Sequence, residues 1–118
     1  MTNNQRRFSR VPFDSICHIV SGDMRLQAPL IDISLKGVLV HRPPQADFSV
    51  GQTCNLEIDL GESGMTIRLS GTLTHVAEDR LGFQLVNIDL DSMIHLRRLM
   101  ELNMGDASLV ERELLAML

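Results

Sequence analysis

The sequence predicts a mainly β domain, with six short strands in an antiparallel barrel or sandwich and α-helices at the C-terminal end. Three observations carry that expectation. Apolar and polar residues alternate in several runs between Phe13 and Val86, which is the period of a half-buried strand. Turn-forming groups divide those runs at short intervals, as tight connections require. From Asp89 onward the apolar spacing becomes helical.

The first strand is expected over Phe13 to Val20 and the second over Arg25 to Asp32, parted by Ser21-Gly22-Asp23. A third, Val38 to His41, runs into Pro43-Pro44. In the fourth, Leu56, Ile58 and Leu60 alternate against Asn55, Glu57 and Asp59. Gly61-Glu62-Ser63-Gly64 then leads into the longest run, Met65 to His75. Here Met65, Ile67, Leu69, Gly71, Leu73 and His75 share one mostly apolar face, and Thr66, Arg68, Ser70, Thr72 and Thr74 take the other. The sixth strand, Leu81 to Val86, follows Glu78-Asp79-Arg80.

The pattern breaks at Asn87 to Asp89. Leu90, Met93, Ile94, Leu96, Leu99 and Met100 then form a helical stripe flanked by Arg97, Arg98 and Glu101. Asp91 is placed to cap its start and Gly105 to stop it. A second helix is expected from Asp106 to near the end, with Leu109, Val110, Leu114 and Met117 at helical spacing. Aromatic residues make up only 3% of the chain, so Val, Ile, Leu and Met must fill the core.

Length and charge narrow the function classes. A chain of 118 residues is enough for one domain and one core, and the last thirty or so residues are too few to fold alone. No apolar stretch is long enough to cross a bilayer, which argues against membrane insertion. The start is polar and then basic with no apolar h-region, so the cytoplasm is the expected location. Cys17 and Cys54 match neither a redox pair nor a zinc ligand set, and free thiols are expected. A pI near 5.4 speaks against broad nucleic-acid binding, DNA included, which needs a basic face.

The charge is unevenly placed. Arg6, Arg7 and Arg10 give residues 1–10 a charge of +3, while residues 11–118 carry 8 basic and 15 acidic side chains, a body of −7. Guanidinium is always charged and presents a rigid fork of donors, so such a tail suits a small anion with phosphate or planar acceptor edges. A second signal is Asp32-Ile33-Ser34-Leu35-Lys36-Gly37, which joins two expected strands. Asp32 and Ser34 can accept from N–H donors, and Gly37 permits either φ > 0 or close approach of a ligand to the backbone. Taken alone, the segment reads first as an ordinary hairpin in which Asp32 and Ser34 satisfy their own backbone.

Together, Arg6-Arg7-Phe8-Ser9-Arg10 and Asp-x-Ser-x-x-Gly about twenty residues later resemble the PilZ domain. The resemblance covers essentially the whole chain, including Leu81-Gly82-Phe83 and the helical end. It implies a six-stranded antiparallel PilZ-like β-barrel with C-terminal helices over residues 11–118, and a flexible Arg-rich tail over residues 1–10 that clamps a ligand. The implied ligand is the bacterial second messenger cyclic di-GMP, with no cofactor or metal besides. Arg6 and Arg10 would hold the first motif's positions, and Asp32, Ser34 and Gly37 the second's.

Chemistry agrees with that implication, because a guanidinium pairs with phosphate or with guanine O6 and N7, and Asp32 and Ser34 can accept from the guanine N1–H and N2–H. Arg7 is either a solvated tail residue or a contact to a second ligand molecule. His75 is a secondary candidate for stacking on a guanine, although a lone His ending an apolar face is more often structural. Lys36 and Arg42 can add positive potential beside the turn.

Catalysis finds no support, because Ser34 and Ser63 lack a nucleophile elbow and His18, His41, His75 and His95 lack metal spacing. Glu111 and Glu113 are expected to be solvated. Met93, Met100, Met104 and Met117 either form a partner surface or pack the helices on the barrel. The resemblance therefore implies a receptor that signals in trans to an effector protein. The alternative is a PilZ-like interaction module that binds no nucleotide.

Overall fold

A computed structural model of the chain describes residues 11–12, 15–44, 47–61, 64–105 and 107–116. In chain order the elements are β1 (Val11–Pro12), β2 (Ile16–Ser21), β3 (Met24–Ile33), β4 (Gly37–His41), β5 (Thr53–Asp59), β6 (Thr66–Val76), β7 (Arg80–Ile88), α1 (Leu90–Met104) and α2 (Ala107–Ala116). The sheet runs β1-β3-β2-β5-β6-β7-β4, and a further pairing of β3 with β4 closes the six longer strands into a barrel. Every pair is antiparallel. The expected six-stranded barrel is thus the observed one, and closure leaves those strands no free edge to template association.

β1 is the addition. Its two residues pair with the end of β3, Val11 with Ile33 and Pro12 with Asp32, while β2 pairs with Met24 to Pro29 of the same strand. The expected first strand over Phe13 to Val20 therefore begins later, at Ile16, and Phe13 lies outside the described residues.

Alternation sets the core. Ile19, Leu56, Ile58, Ile67, Leu73 and Leu81 point inward and are fully buried, and Phe48 and Phe83 are the buried aromatics among the described residues. Leu96 and Met100 of α1 and Val110 of α2 join the same core. Met93 packs against that core, so for Met93 and Met100 the methionines are packing residues; Met104 and Met117 have no described side chains.

The start of α1 departs from expectation. Asp89, not Asp91, is the N-cap: its backbone is extended, and its carboxylate accepts the Ser92 amide at 2.7 Å. Asp91 stands in the first turn, where an acid still faces the positive end of the helix dipole. Ser92 is buried and its hydroxyl accepts the Arg68 amide of β6 at 2.8 Å, which ties α1 to the barrel. Gly105 ends α1 as expected, with φ of 71° and its amide on the Glu101 carbonyl. Arg97 joins the helices, at 3.0 Å from Glu101 and 2.5 Å from Glu111. Glu113, expected in solvent, is buried instead. No described helix is long and apolar enough to cross a membrane.

Candidate ligand-binding surface

An irregularity in β3 aims Asp32 outward. Leu30 pairs with Val40 but Asp32 pairs with Leu39, so Ile31 is an extra residue opposite β4. Leu30 and Ile33 can both be buried three positions apart only because of that extra residue. Asp32 between them takes the outer face with Leu39.

The turn beyond β3 is closed by Ser34. Its amide donates to the Gly37 carbonyl at 2.9 Å. Its hydroxyl accepts the Lys36 and Gly37 amides at 3.2 Å each and donates to the Gly37 carbonyl at 3.4 Å. A hydroxyl has two lone pairs and one hydrogen, and here all three are used inside the turn. Ser34 is 6% exposed, which fits that inward role.

Gly37 does not have the left-handed backbone that was one of the two reasons expected for it. It is absent from the glycines with positive φ. The protein's own β7 makes a close approach there, since a Cβ on Gly37 would stand 2.3 Å from the Phe83 carbonyl oxygen. The Lys36 carbonyl accepts the Leu85 amide at 2.7 Å, which locks the turn against the same strand.

Register extends this surface sideways. Asp32 pairs with Pro12 of β1 and Leu39 of β4, Leu39 with Gly82 of β7, and Gly82 with His75 of β6. Three strand spacings separate Asp32 from His75, about 14 Å. His75 was expected on the apolar face of its strand and is exposed instead. A shift of register between Leu73 and His75 leaves Thr74 as an extra residue and turns the ring outward. Gly82 has no side chain between Leu39 and His75, and the notch belongs to a groove of about 260 Å³ lined also by Thr74, Arg80 and Phe83. Leu39, Gly82 and Arg80 escape a reading of the sequence for sites; the signal available was a glycine within an apolar strand pattern.

Arg6, Arg7 and Arg10 lie outside the described residues. Chain connectivity nevertheless fixes one relation: Arg10 precedes Val11, and Val11 pairs with Ile33, the residue between Asp32 and Ser34. Arg42 donates to the Ala77 carbonyl at 3.0 Å and so secures the β6–β7 hairpin. Among the described residues no group of His, Cys, Asp and Glu could hold a metal ion. Cys17 and Cys54 are buried free thiols, and burial pushes the Cys17 thiol up to about 12.

Comparison with known proteins now bears on this surface. The PilZ domain model matches residues 4–102, a span that contains both motifs. The PilZ domain of YcgR from Escherichia coli, solved with c-di-GMP, has a TM-score of 0.72 at 20% identity, over 88% of this chain and 95% of that one. The inhibitor of motility MotI/DgrA of Bacillus subtilis has a TM-score of 0.69 at 16% identity, over 80% and 48%. The MrkH–c-di-GMP complex of K. pneumonia has a TM-score of 0.65 at 19% identity, over 89% and 56%. This chain thus spans about half the length of the MotI/DgrA and MrkH chains. Identities at this level establish a shared fold.

Proposed function

The chain belongs to the PilZ domain family, and from that premise we propose that it is a cyclic di-GMP receptor rather than an enzyme. The observation that carries the reading is the pairing of β1 with the end of β3, because it brings the chain that follows Arg10 beside Asp32 and the Ser34 turn. Both motifs then serve one surface.

In this reading Arg6 and Arg10 grip the phosphates or the guanine O6 and N7, and Arg7 adds charge beside them. Asp32, aimed outward, accepts from the N1–H and N2–H of one guanine. Ser34 and Gly37 act mainly by fixing the turn: the Ser34 hydroxyl would have to release an amide to reach a base directly. The notch at Gly82 gives a second planar ring room against His75, with Arg80 nearby. The Arg-rich tail orders over the barrel when two phosphates offset its +3 charge, and the changed surface is what an effector protein reads in trans.

Calorimetric titration of the full chain with cyclic di-GMP tests this. Saturable binding is expected, and its stoichiometry reports whether one or two ligand molecules are held. Absence of heat and of competition at millimolar ligand would overturn the receptor reading in favour of an interaction module that binds no nucleotide.

A further inference from the structure

Arg80 opens β7, two residues before the notch at Gly82. The β4–β7 register runs unbroken from Arg80 to Gln84, and Leu81 and Phe83 are buried in the core. Arg80 and Gly82 therefore both face outward, about 6.7 Å apart along the strand. Leu39 and His75 stand level with Gly82 on the two neighbouring strands, and Arg80 lines the same groove at its end. The groove thus offers a flat floor at Gly82 and a fork of donors at one side.

The turn that carries Arg80 is fixed by its backbone. The Arg42 amide donates to the Asp79 carbonyl and the Arg42 guanidinium to the Ala77 carbonyl, each at 3.0 Å. The Ala77 amide donates to the Arg80 carbonyl, also at 3.0 Å. The side chains stay in solvent: Arg80 is 45% exposed and Asp79 70%. Their contact is loose, because Nε of Arg80 donates to Oδ1 of Asp79 at 3.3 Å and Nη2 to Oδ2 at 3.4 Å. A tight charge-assisted bond measures about 2.7–2.9 Å. The Arg80 fork still holds the Asp79 carboxyl below its ordinary value. An exposed pair of this kind contributes little, so a better acceptor can displace the carboxylate.

We propose that Arg80 is a ligand-binding residue of this groove and that Asp79 competes with the ligand for it. This rests on the receptor reading, in which a guanine lies over Gly82 against His75. The edge of that base turned toward Arg80 carries O6 and N7, two acceptors that match the guanidinium fork. Adenine presents N7 beside an amino donor on the same edge and leaves the fork half satisfied. The exchange needs only side-chain rotation, because Arg42 holds the turn in either state. Asp79 thereby sets the affinity of the groove from within: binding must first draw the guanidinium off the carboxylate.

Calorimetric titration of the full chain and its variants with cyclic di-GMP tests the assignment. Arg80→Ala should weaken binding roughly fivefold to tenfold. Arg80→Lys keeps a charge that would serve a phosphate but loses the fork, so it should recover little of that loss. Asp79→Asn releases the fork and should tighten binding about twofold to fivefold, a gain that misfolding cannot produce. Glu78→Gln removes the same charge one residue earlier, at an exposed position, and should change affinity less than Asp79→Asn does. Circular dichroism checks that each variant is folded. A parent chain that binds no nucleotide overturns the receptor reading and this contact with it. Where the parent binds, the assignment is overturned by an Arg80→Ala variant that titrates like the parent or by full affinity in Arg80→Lys. It is equally overturned if Asp79→Asn brings no gain, or a gain that Glu78→Gln matches.

Discussion

The backbone of Gly37 passes so close to Phe83 that a Cβ there would stand 2.3 Å from the Phe83 carbonyl oxygen. β4 and β7 can pair at this point only across a glycine. Gly37→Ala must therefore push the strands apart or open the turn, and it should cost about 1–3 kcal/mol in urea denaturation. Gly82→Ala is the control, because its nearest neighbour is the His75 Cβ at 3.2 Å, a side-chain atom. It should cost less and should instead fill the notch. If Gly82→Ala proves the more destabilising, the close approach is not what selects glycine at Gly37.

Most of the barrel was legible in the sequence because alternation reports which face of a strand is buried. Leu56 and Ile58 of β5 and Ile67, Leu69 and Leu73 of β6 are inward as the pattern demands. What alternation cannot report is an extra residue. Ile31 and Thr74 each break the period, and the two residues they redirect, Asp32 and His75, are candidates for ligand contact. Gly37 shows a second limit: the need for glycine arises from β7, which is some forty-five residues away in the chain. The cap of α1 is Asp89 and not Asp91: both aspartates stand at the head of the apolar stripe, and only the extended backbone at Asp89 tells them apart.

Ser92 joins the helix to the barrel, so Ser92→Ala should leave the Arg68 amide without its acceptor. The loss of a buried partner predicts about 1–3 kcal/mol in denaturant unfolding. Its neighbour sets a pH dependence. The Ser92 amide and hydroxyl hold the Asp89 carboxyl below its ordinary value. A lowered folded pKa means that the cap's contribution is present above the unfolded carboxyl's pKa and is lost as pH falls through the folded one. Asp89→Asn should flatten that acid limb of the thermal midpoint; an unchanged limb would place the dependence elsewhere.

Base identity should rest on Asp32. Adenine lacks the N1–H and N2–H pair, and a site built for those donors rejects a ligand that leaves its acceptor unmatched. Asp32→Ala should weaken cyclic di-GMP binding at least about tenfold with the fold retained. Cyclic di-AMP should compete poorly with the parent chain. Equal affinity for the two dinucleotides would remove Asp32 from base reading.

Arg6 and Arg10 should matter more to binding than any other pair. Each charge-assisted bond contributes about 1.5–3 kcal/mol, so either change to Ala should weaken affinity roughly tenfold to a hundredfold or more. Lys at either position keeps the charge and loses the fork, so its rescue should be partial. Calorimetry separates these outcomes, and Ala variants that titrate like the parent would dismiss the clamp.

The tail should be tied down by the ligand it holds. Residues 1–10 contain three arginines and one large apolar side chain, Phe8, so alone they lack the apolar surface that offsets the entropy of ordering. Two phosphates supply opposite charge, and the anchor is already set, because Val11 and Pro12 pair with Ile33 and Asp32 at the receiving end. Ordering therefore needs to propagate only a few residues back from β1, over the surface that carries Asp32. Deleting residues 1–10 should leave a folded barrel that binds no cyclic di-GMP. Amide exchange at residues 5–10 should slow in the complex, while exchange in β5, on the far side of the barrel from β4, stays as it was. Unchanged exchange in residues 5–10 at saturating ligand would mean that the tail neither closes on the nucleotide nor carries its signal.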